Sequence, residues 1–122
     1  MTATELLERY AAGERDFSRI DLTLPDWGDV DLSGANLSGV NLSGANLEDA
    51  DLRYTNLTDA NLTDADLSDA NLGGANLRNS NLSGANMGGA DLRYADLFGA
   101  YLNGTNLEDA DLTHVKMEGV LR

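Results

Sequence analysis

Over residues 20–119 the sequence repeats every five residues, with Leu or another large apolar residue at the third place of each unit, as in Ala35-Asn36-Leu37-Ser38-Gly39. This third place, the centre, is held by Leu22, Trp27, Leu32, Leu37, Leu42 and Leu47, and in further steps of five as far as Met87, Leu112 and Met117. The first place takes a small or modest apolar residue such as Val30, Ala35, Val40 or Ala60, and the second takes Asn or Asp. The fourth and fifth are polar or Gly, with Tyr at Tyr54 and Tyr94. A helix repeats its buried face about every 3.6 residues and a flat strand about every 2, so a sustained period of five fits neither. In a flat strand an odd period sends successive leucines to opposite faces. All centres point inward only if the chain turns once per unit.

Within a unit, Ala35 and Leu37 are two apart and share one side of a short extended segment, and Ser38-Gly39 supplies the corner. Gly tolerates the positive φ that a type II turn needs at its third residue, and Asp or Asn, as at Asp59, Asp64, Asp69 and Asn79, is the next best tolerated. At Tyr54 and Tyr94 a different turn type is expected. Corners of one hand coil the chain into a solenoid whose rungs pair as parallel strands ~4.8 Å apart, with the Leu and Ala columns stacked as its core. Whether three or four units close a rung is not decided by this arithmetic.

The tandem Ala-(Asp/Asn)-Leu-X-X units resemble the pentapeptide-repeat proteins, and the resemblance covers roughly five sixths of the chain. It implies four units per rung and an all-β fold, a right-handed quadrilateral parallel β-helix of about five rungs. It says little about function, because most members of that family have no assigned activity. Residues 1–14 are expected to form a capping segment and residues 15–122 the β-helix. Thr2-Ala3-Thr4-Glu5 has capping-box spacing, Leu6, Leu7, Tyr10 and Ala11 follow at helical intervals, and Gly13 is a natural stop, so a short amphipathic helix is read over residues 3–12. Phe17 then opens the solenoid at a centre, and Pro25 and Trp27 make the first rung irregular. At the other end Val115, Met117, Val120 and Leu121 leave an apolar end without helical cover. Two outcomes stand open there: an end-to-end homodimer through these residues, or a tail that folds over its own core.

The chain has 122 residues, enough for one domain with a core, since each rung buries its neighbour. No cysteine is present, which removes disulfides, thiolate catalysis and Cys-ligated zinc and fits a reducing cytoplasm, the expected compartment. No apolar run approaches membrane length and no secretory signal is read, so a membrane role is not expected.

Four units per rung place residues twenty apart on one side. The side centred on Trp27, Leu47, Leu67, Met87 and Leu107 collects Asp26, Asp29, Glu48, Asp49, Asp66, Asp69, Glu108 and Asp109 and no Lys or Arg. The side of Leu32, Leu52, Leu72, Leu92 and Leu112 carries Asp31, Asp51, Asp91 and Asp111 against Arg53 and Arg93, with Arg53-Tyr54 and Arg93-Tyr94 flanking Gly73-Gly74. The other two sides are quieter. The net charge of −13 is therefore concentrated. An acidic side keeps a stacked sheet soluble and stops side-to-side joining, and it also suits docking of a protein with a basic surface. For the second role the candidates are Asp29, Glu48, Asp49, Asp66, Asp69, Glu108 and Asp109.

Candidate chemistry is thin. The one histidine, His114, sits near the end of the chain beside Asp111 and Thr113 and reads as a polar corner substituent rather than part of a triad. Asp49 and Asp69 stack as a cation pair would, but no Asp-rich calcium loop is present, so neither metal nor cofactor is expected. The second-place Asn column is read as amides bonding up and down the stack. Phe98 and Tyr101 point outward and form a secondary candidate for a partner surface. Direct nucleic-acid binding is not expected of an acidic surface. The leading functional reading is a non-enzymatic protein-interaction module. The alternative, which the resemblance supplies, is a DNA mimic acting on DNA gyrase. This chain lacks the inserted loops and C-terminal dimerisation helix of the members that act in that way.

Overall fold

The computed structural model describes residues 1–22 and 26–122; Pro25, read above as an irregularity, lies outside them. From Asp16 onward the backbone is held by parallel bridges between residues twenty apart. One column runs through Asp16, Asn36, Asn56, Asn76, Asp96 and Lys116, and the next through Asp21, Asn41, Asn61, Asn81, Tyr101 and Leu121. With a corner in every five residues, a register of twenty gives a four-sided turn. The solenoid is built from isolated bridges at the second place of each unit rather than from continuous strands. The reason is geometric: the corner takes up so much of each unit that little is left to pair.

The unit from Asn36 to Val40 accounts for all of its N–H groups. Asn36 N–H donates to Arg15 O one rung back at 2.7 Å, and Leu37 N–H to Asn56 O one rung on at 2.7 Å. Gly39 N–H donates to Thr58 O at 2.9 Å, also one rung on, and Val40 N–H closes the corner on Leu37 O at 3.3 Å. The remaining donor, Ser38 N–H, goes to the side chain of Asn36, whose Oδ1 accepts it at 3.1 Å. That bond recurs at Asp31, Asn41, Asn46, Asp51, Asn56, Asp66 and Asn71, among others. The second place is therefore a turn cap. Among the described residues, ladder bonds of the expected kind run from Asn36 Nδ2 to Asp16 Oδ1 at 3.4 Å and from Asn106 Nδ2 to Asn86 Oδ1 at 3.0 Å, while most second-place oxygens serve as caps. A carboxylate caps as well as an amide but cannot extend a ladder, which is why Asp and Asn interchange.

In the described units the fifth place has positive φ, in Gly39 at 65°, Asp59 at 62° and also Tyr54 at 59° and Tyr94 at 64°. The different turn expected at the tyrosines is not adopted. Thr55 N–H and Ala95 N–H still close on Leu52 O and Leu92 O, at 3.3 and 2.9 Å, because neighbouring rungs fix the backbone on either side. Centres from Phe17 to Leu102 are buried, Trp27 among them with its Nε1–H on Leu22 O at 2.8 Å. Each buried Leu contributes about 1.5–3 kcal/mol. Two polar first-place residues, Thr55 and Ser80, are buried with their hydroxyls donating to Leu52 O and Leu77 O at 2.8 and 2.7 Å.

The helix α1 spans Ala3–Ala11, capped by Thr2, whose side chain accepts from Glu5 N–H at 3.1 Å. Gly13, at φ 100°, ends it, with Gly13 N–H on Tyr10 O and Glu14 N–H on Arg9 O. Leu6 is fully buried on the solenoid end, flanked by Ala3 and Tyr10, whereas Leu7 and Ala11, read as part of the same stripe, are exposed. The stripe is i, i+3, i+7, narrower than the sequence reading. Tyr10 OH donates to Ser33 O at 2.6 Å, and the Arg15 guanidinium lies 3.7 Å over the Tyr10 ring.

The opposite end has no such cover. Leu107, Ala110, Leu112, Val115, Met117 and Val120 are only partly buried. The tail does not fold over the core but continues the rung, with Leu121 bridging Tyr101. Leu121 thus stands at a second place on the flank, 49% exposed, and is not part of the apolar end to which it was assigned.

Candidate interaction surface

Since the first and third places face inward and the second caps the corner, only the fourth place is free to differ without altering the backbone, and the fifth only among residues that tolerate its positive φ. Function has to be sought there. On the acidic side the bridges Asn46–Asp66, Asp66–Asn86 and Asn86–Asn106, with Asp29 N–H on Glu48 O and Asp49 N–H on Ser68 O, bring the predicted carboxylates onto one surface. Glu48 and Glu108 occupy exposed fourth places, and Asp29, Asp49, Asp69 and Asp109 exposed corners at φ 56–61°. Asp66 differs from these. It is half-buried and accepts from Ser68 N–H at 3.0 Å and Ser68 Oγ at 2.6 Å, so its first duty is the turn.

The electrostatic consequence falls on Glu48. Repulsion from Asp66, then from Asp49, with smaller contributions from burial, Asp69 and Asp29, raises its carboxyl above the ordinary glutamate range. Among the described residues no ion pair falls on this side. Nor do any three acidic, His or Cys side chains among them converge as a metal ion requires.

The adjoining side is the reverse. Arg53 Nε and Nη2 hold Asp51 at 2.9 and 2.7 Å, and Arg93 holds Asp91 in the same two-point way at 3.0 and 2.7 Å. Arg93 also lies 3.7 Å from Asp111. The hydrogen bond from its guanidinium is the main reason Asp51 sits below the ordinary aspartate range, and likewise Asp91; Asp111 is lowered chiefly by the Thr113 hydroxyl. Tyr54 and Tyr94 are 73% and 66% exposed.

Corner side chains lean one rung onward, a feature the sequence reading did not contain. Tyr54 lies over Gly74, where an added methyl would sit 2.6 Å from its Cε1, and Asp64, Asp69 and Asn79 lean likewise over Gly84, Gly89 and Gly99. Tyr94 meets His114 instead and stacks on it, centroids 5.0 Å apart and planes 18° apart. The sequence signal for this was the fifth-place column at intervals of twenty, in which Tyr54, Gly74, Tyr94 and His114 follow one another. Between the two Arg-Tyr units a notch of about 330 Å³ opens over Gly73 and Gly74. A second, of about 420 Å³, opens over Gly88 and Gly89 on the acidic side. Phe98 is 41% exposed but has the Arg78 guanidinium 4.6 Å over its ring, and Tyr101 is 43% exposed. No helix among the described residues is long and apolar enough to cross a membrane.

Comparison with known proteins agrees with this architecture. The family model for pentapeptide repeats matches in 8 copies, over residues 16–53, 31–69, 60–97 and 90–120. A pentapeptide repeat protein from the Arabidopsis thaliana thylakoid lumen is 34% identical, over 74% of this chain and 66% of that one, with a TM-score of 0.65. The chain therefore spans just under two thirds of that relative. A pentapeptide repeat protein from the cyanobacterium Cyanothece 51142 is 29% identical over 97% of each chain, TM-score 0.53. Another, from Nostoc Pcc 7120, is 37% identical over 94% of each, TM-score 0.49. No curated protein matches the chain.

Proposed function

The chain belongs to the pentapeptide-repeat family, whose fold is the right-handed quadrilateral β-helix, and from that premise we propose that it is a non-enzymatic interaction module. It acts as a rod of about five rungs that docks a protein with a basic surface. The observation that carries this reading is the unpaired acidic side, where like charges crowd closely enough to raise Glu48. Repulsion of that kind is relieved when cations arrive. A basic partner gains from the relief, is steered to the side at low salt, and binds less well as salt rises. The backbone stays fixed because its donors are already used between rungs, so little ordering entropy is lost on docking.

The test is a pull-down with wild type against a variant carrying Glu48→Gln, Asp49→Asn, Asp66→Asn and Asp69→Asn. Asn caps the same corner at Asn46 and Asn86, so the Asp66 change removes charge and keeps the turn. Loss of partners from the variant supports docking. Identical recovery overturns it and leaves the acidic side as a solubility device.

A second reading, mimicry of duplex DNA toward DNA gyrase, is favoured by the same carboxylate column and opposed by the arginines on the adjoining side. Inhibition of purified gyrase in a supercoiling assay supports it; no effect removes it. For the open end we propose end-to-end pairing of two chains through Val115, Met117 and Val120. Met117→Asp is then expected to convert a dimer to a monomer in sedimentation, and a wild-type monomer refutes the pairing.

A further inference from the structure

Two units carry glycine at both the fourth and the fifth place, Leu72-Gly73-Gly74 and Met87-Gly88-Gly89. The fifth-place glycines have a backbone reason: φ is 66° and 68°, and Tyr54 and Asp69 lean into the space where a side chain would stand. The fourth-place glycines have none. Neither has positive φ, and a methyl added at Gly73 or Gly88 meets chiefly the capping Oδ1 of Asn71 or Asn86, at 3.2 Å. Side chains at other fourth places live with that same oxygen, among them Ser38, Arg53, Glu108 and Phe98. What the missing side chains leave behind is open space above bare backbone.

The two openings adjoin. Gly88 follows Gly73 by fifteen residues, three corners of a four-sided turn, so the notches lie on neighbouring sides less than one rung apart in height. They approach each other at a shared edge, where Asp69 and Asn71 are separated only by the buried Ala70, and Gly89 and Asp91 only by the buried Ala90. The walls differ in chemistry. On one side stand Asp69, Glu108 and Asp109, with no Lys or Arg on that face. On the other stand Tyr54 and Tyr94, about 10 Å apart along the rod, two rungs of about 4.8 Å. Their neighbours Arg53 and Arg93 are already engaged by Asp51 and Asp91.

We propose that the two notches form one docking groove for an extended, arginine-bearing segment of a partner protein. This rests on the docking reading above and gives it a place and a ligand class. An arginine suits both halves: its guanidinium pairs with carboxylates in the acidic notch, and its flat face stacks on a tyrosine ring in the other. An acidic segment is excluded from the first notch by charge and finds no free guanidinium fork in the second. Alternate side chains of an extended segment stand on the same face, which lets one strand across the edge serve both notches.

The experiment is fluorescence anisotropy with a short labelled peptide of alternating Arg and Ser, beside its Lys-Ser and Glu-Ser counterparts. Gly73→Leu and Gly88→Leu fill the notches; the paired Asp59→Asn and Asp64→Asn change removes two charges from exposed corners outside the docking side. We expect the Arg peptide to bind wild type best, each fill to weaken it about tenfold, and the charge control to weaken it less than about twofold. Circular dichroism melting confirms that each variant is folded, and Tyr94→Ser, which leaves every backbone contact in place, reads the groove independently if a fill destabilises. A fill without effect while the charge control loses affinity overturns the groove and leaves only diffuse attraction to an acidic rod. No binding of the Arg peptide to wild type also overturns the groove, and the pull-down then decides the broader reading by itself. Equal affinity for the Lys peptide overturns the stacking on tyrosine.

Discussion

The acidic side and the Arg-Tyr side share an edge, a backbone and a hydrogen-bond scheme, yet one concentrates repulsion and the other neutralises it. On both, the second-place carboxylate caps the corner: Asp66 for Ser68 and Asp51 for Arg53. The difference arises two residues later. Where the fourth place is Arg, the cap also becomes an ion pair, at 2.7 Å for Asp51. Where it is Ser68, the carboxylate cap adds to a column of like charge, and where it is Glu48 or Glu108 the cap is a neutral Asn and the Glu itself adds the charge. The repeat thus fixes the skeleton through its second, third and fifth places and delegates surface chemistry to the fourth.

The largest effect that can break this comparison concerns the two glycines of one unit. Gly74→Val places a β-branched residue at φ 66° under the Tyr54 ring, and we expect a loss of about 3 kcal/mol in urea denaturation. Gly73→Ala, one residue away, should stay within about 0.5 kcal/mol of wild type. Adding Tyr54→Ala to the Gly74 variant should recover part of the loss, which a double-mutant cycle measures. Were Gly73→Ala as damaging as Gly74→Val, the fourth place would be structural and the proposed groove would lose its premise.

Much of this surface was legible in the sequence, and the illegible part has a physical cause. A period of five with large apolar centres allows few chain paths, and intervals of twenty alone place Glu48, Asp69 and Glu108 on one side. Stacked amides suggest a ladder, but each second-place oxygen is first needed by the N–H two residues on, and Asp66 and Asp51, at second places of two different columns, have no amide to donate. The tyrosine corners were misjudged because local preference disfavours φ near 60° for an aromatic residue, while neighbouring rungs impose it. The leaning of Tyr54 over Gly74 and the stack of Tyr94 on His114 depend on where a corner aims its side chain. That direction is a property of the folded rung and leaves no mark in a composition or a period.

The next effect in size separates the two caps. Asp51→Ala leaves Arg53 N–H uncapped and removes an exposed ion pair, for an expected loss of about 1.5 kcal/mol. Asp66→Ala removes the same kind of cap but also the strongest like-charge repulsion on Glu48, so a smaller loss than at Asp51 is expected. Equal losses in the two urea titrations would show that the side-chain environment beyond the cap does not matter. Asn at either place should retain most of the stability, since Asn is the usual cap in the other units.

The smallest effect is in pH dependence, and there the two sides have opposite signs. Asp51 and Asp91 are held below the ordinary aspartate range first by their arginines, so near that range the unfolded chain binds more protons than the folded one. Their contribution is present above the ordinary value and is lost as pH falls through the lowered one. Glu48 is raised, first by Asp66, so the folded state holds its proton more tightly than the unfolded chain. Its contribution is favourable below the ordinary glutamate value and fades as pH rises through the raised one. Carboxyl-carbon NMR titration reads each group separately. Asp66→Asn should bring the Glu48 midpoint down toward the ordinary range, and Arg53→Gln should bring the Asp51 midpoint up, each without moving the other. Added salt should shrink the Glu48 displacement most, because a fully exposed group repelled by its neighbours is screened. A Glu48 midpoint indifferent to both Asp66→Asn and salt would mean that the acidic side is not electrostatically crowded, and the case for a cation-seeking docking surface would fall with it.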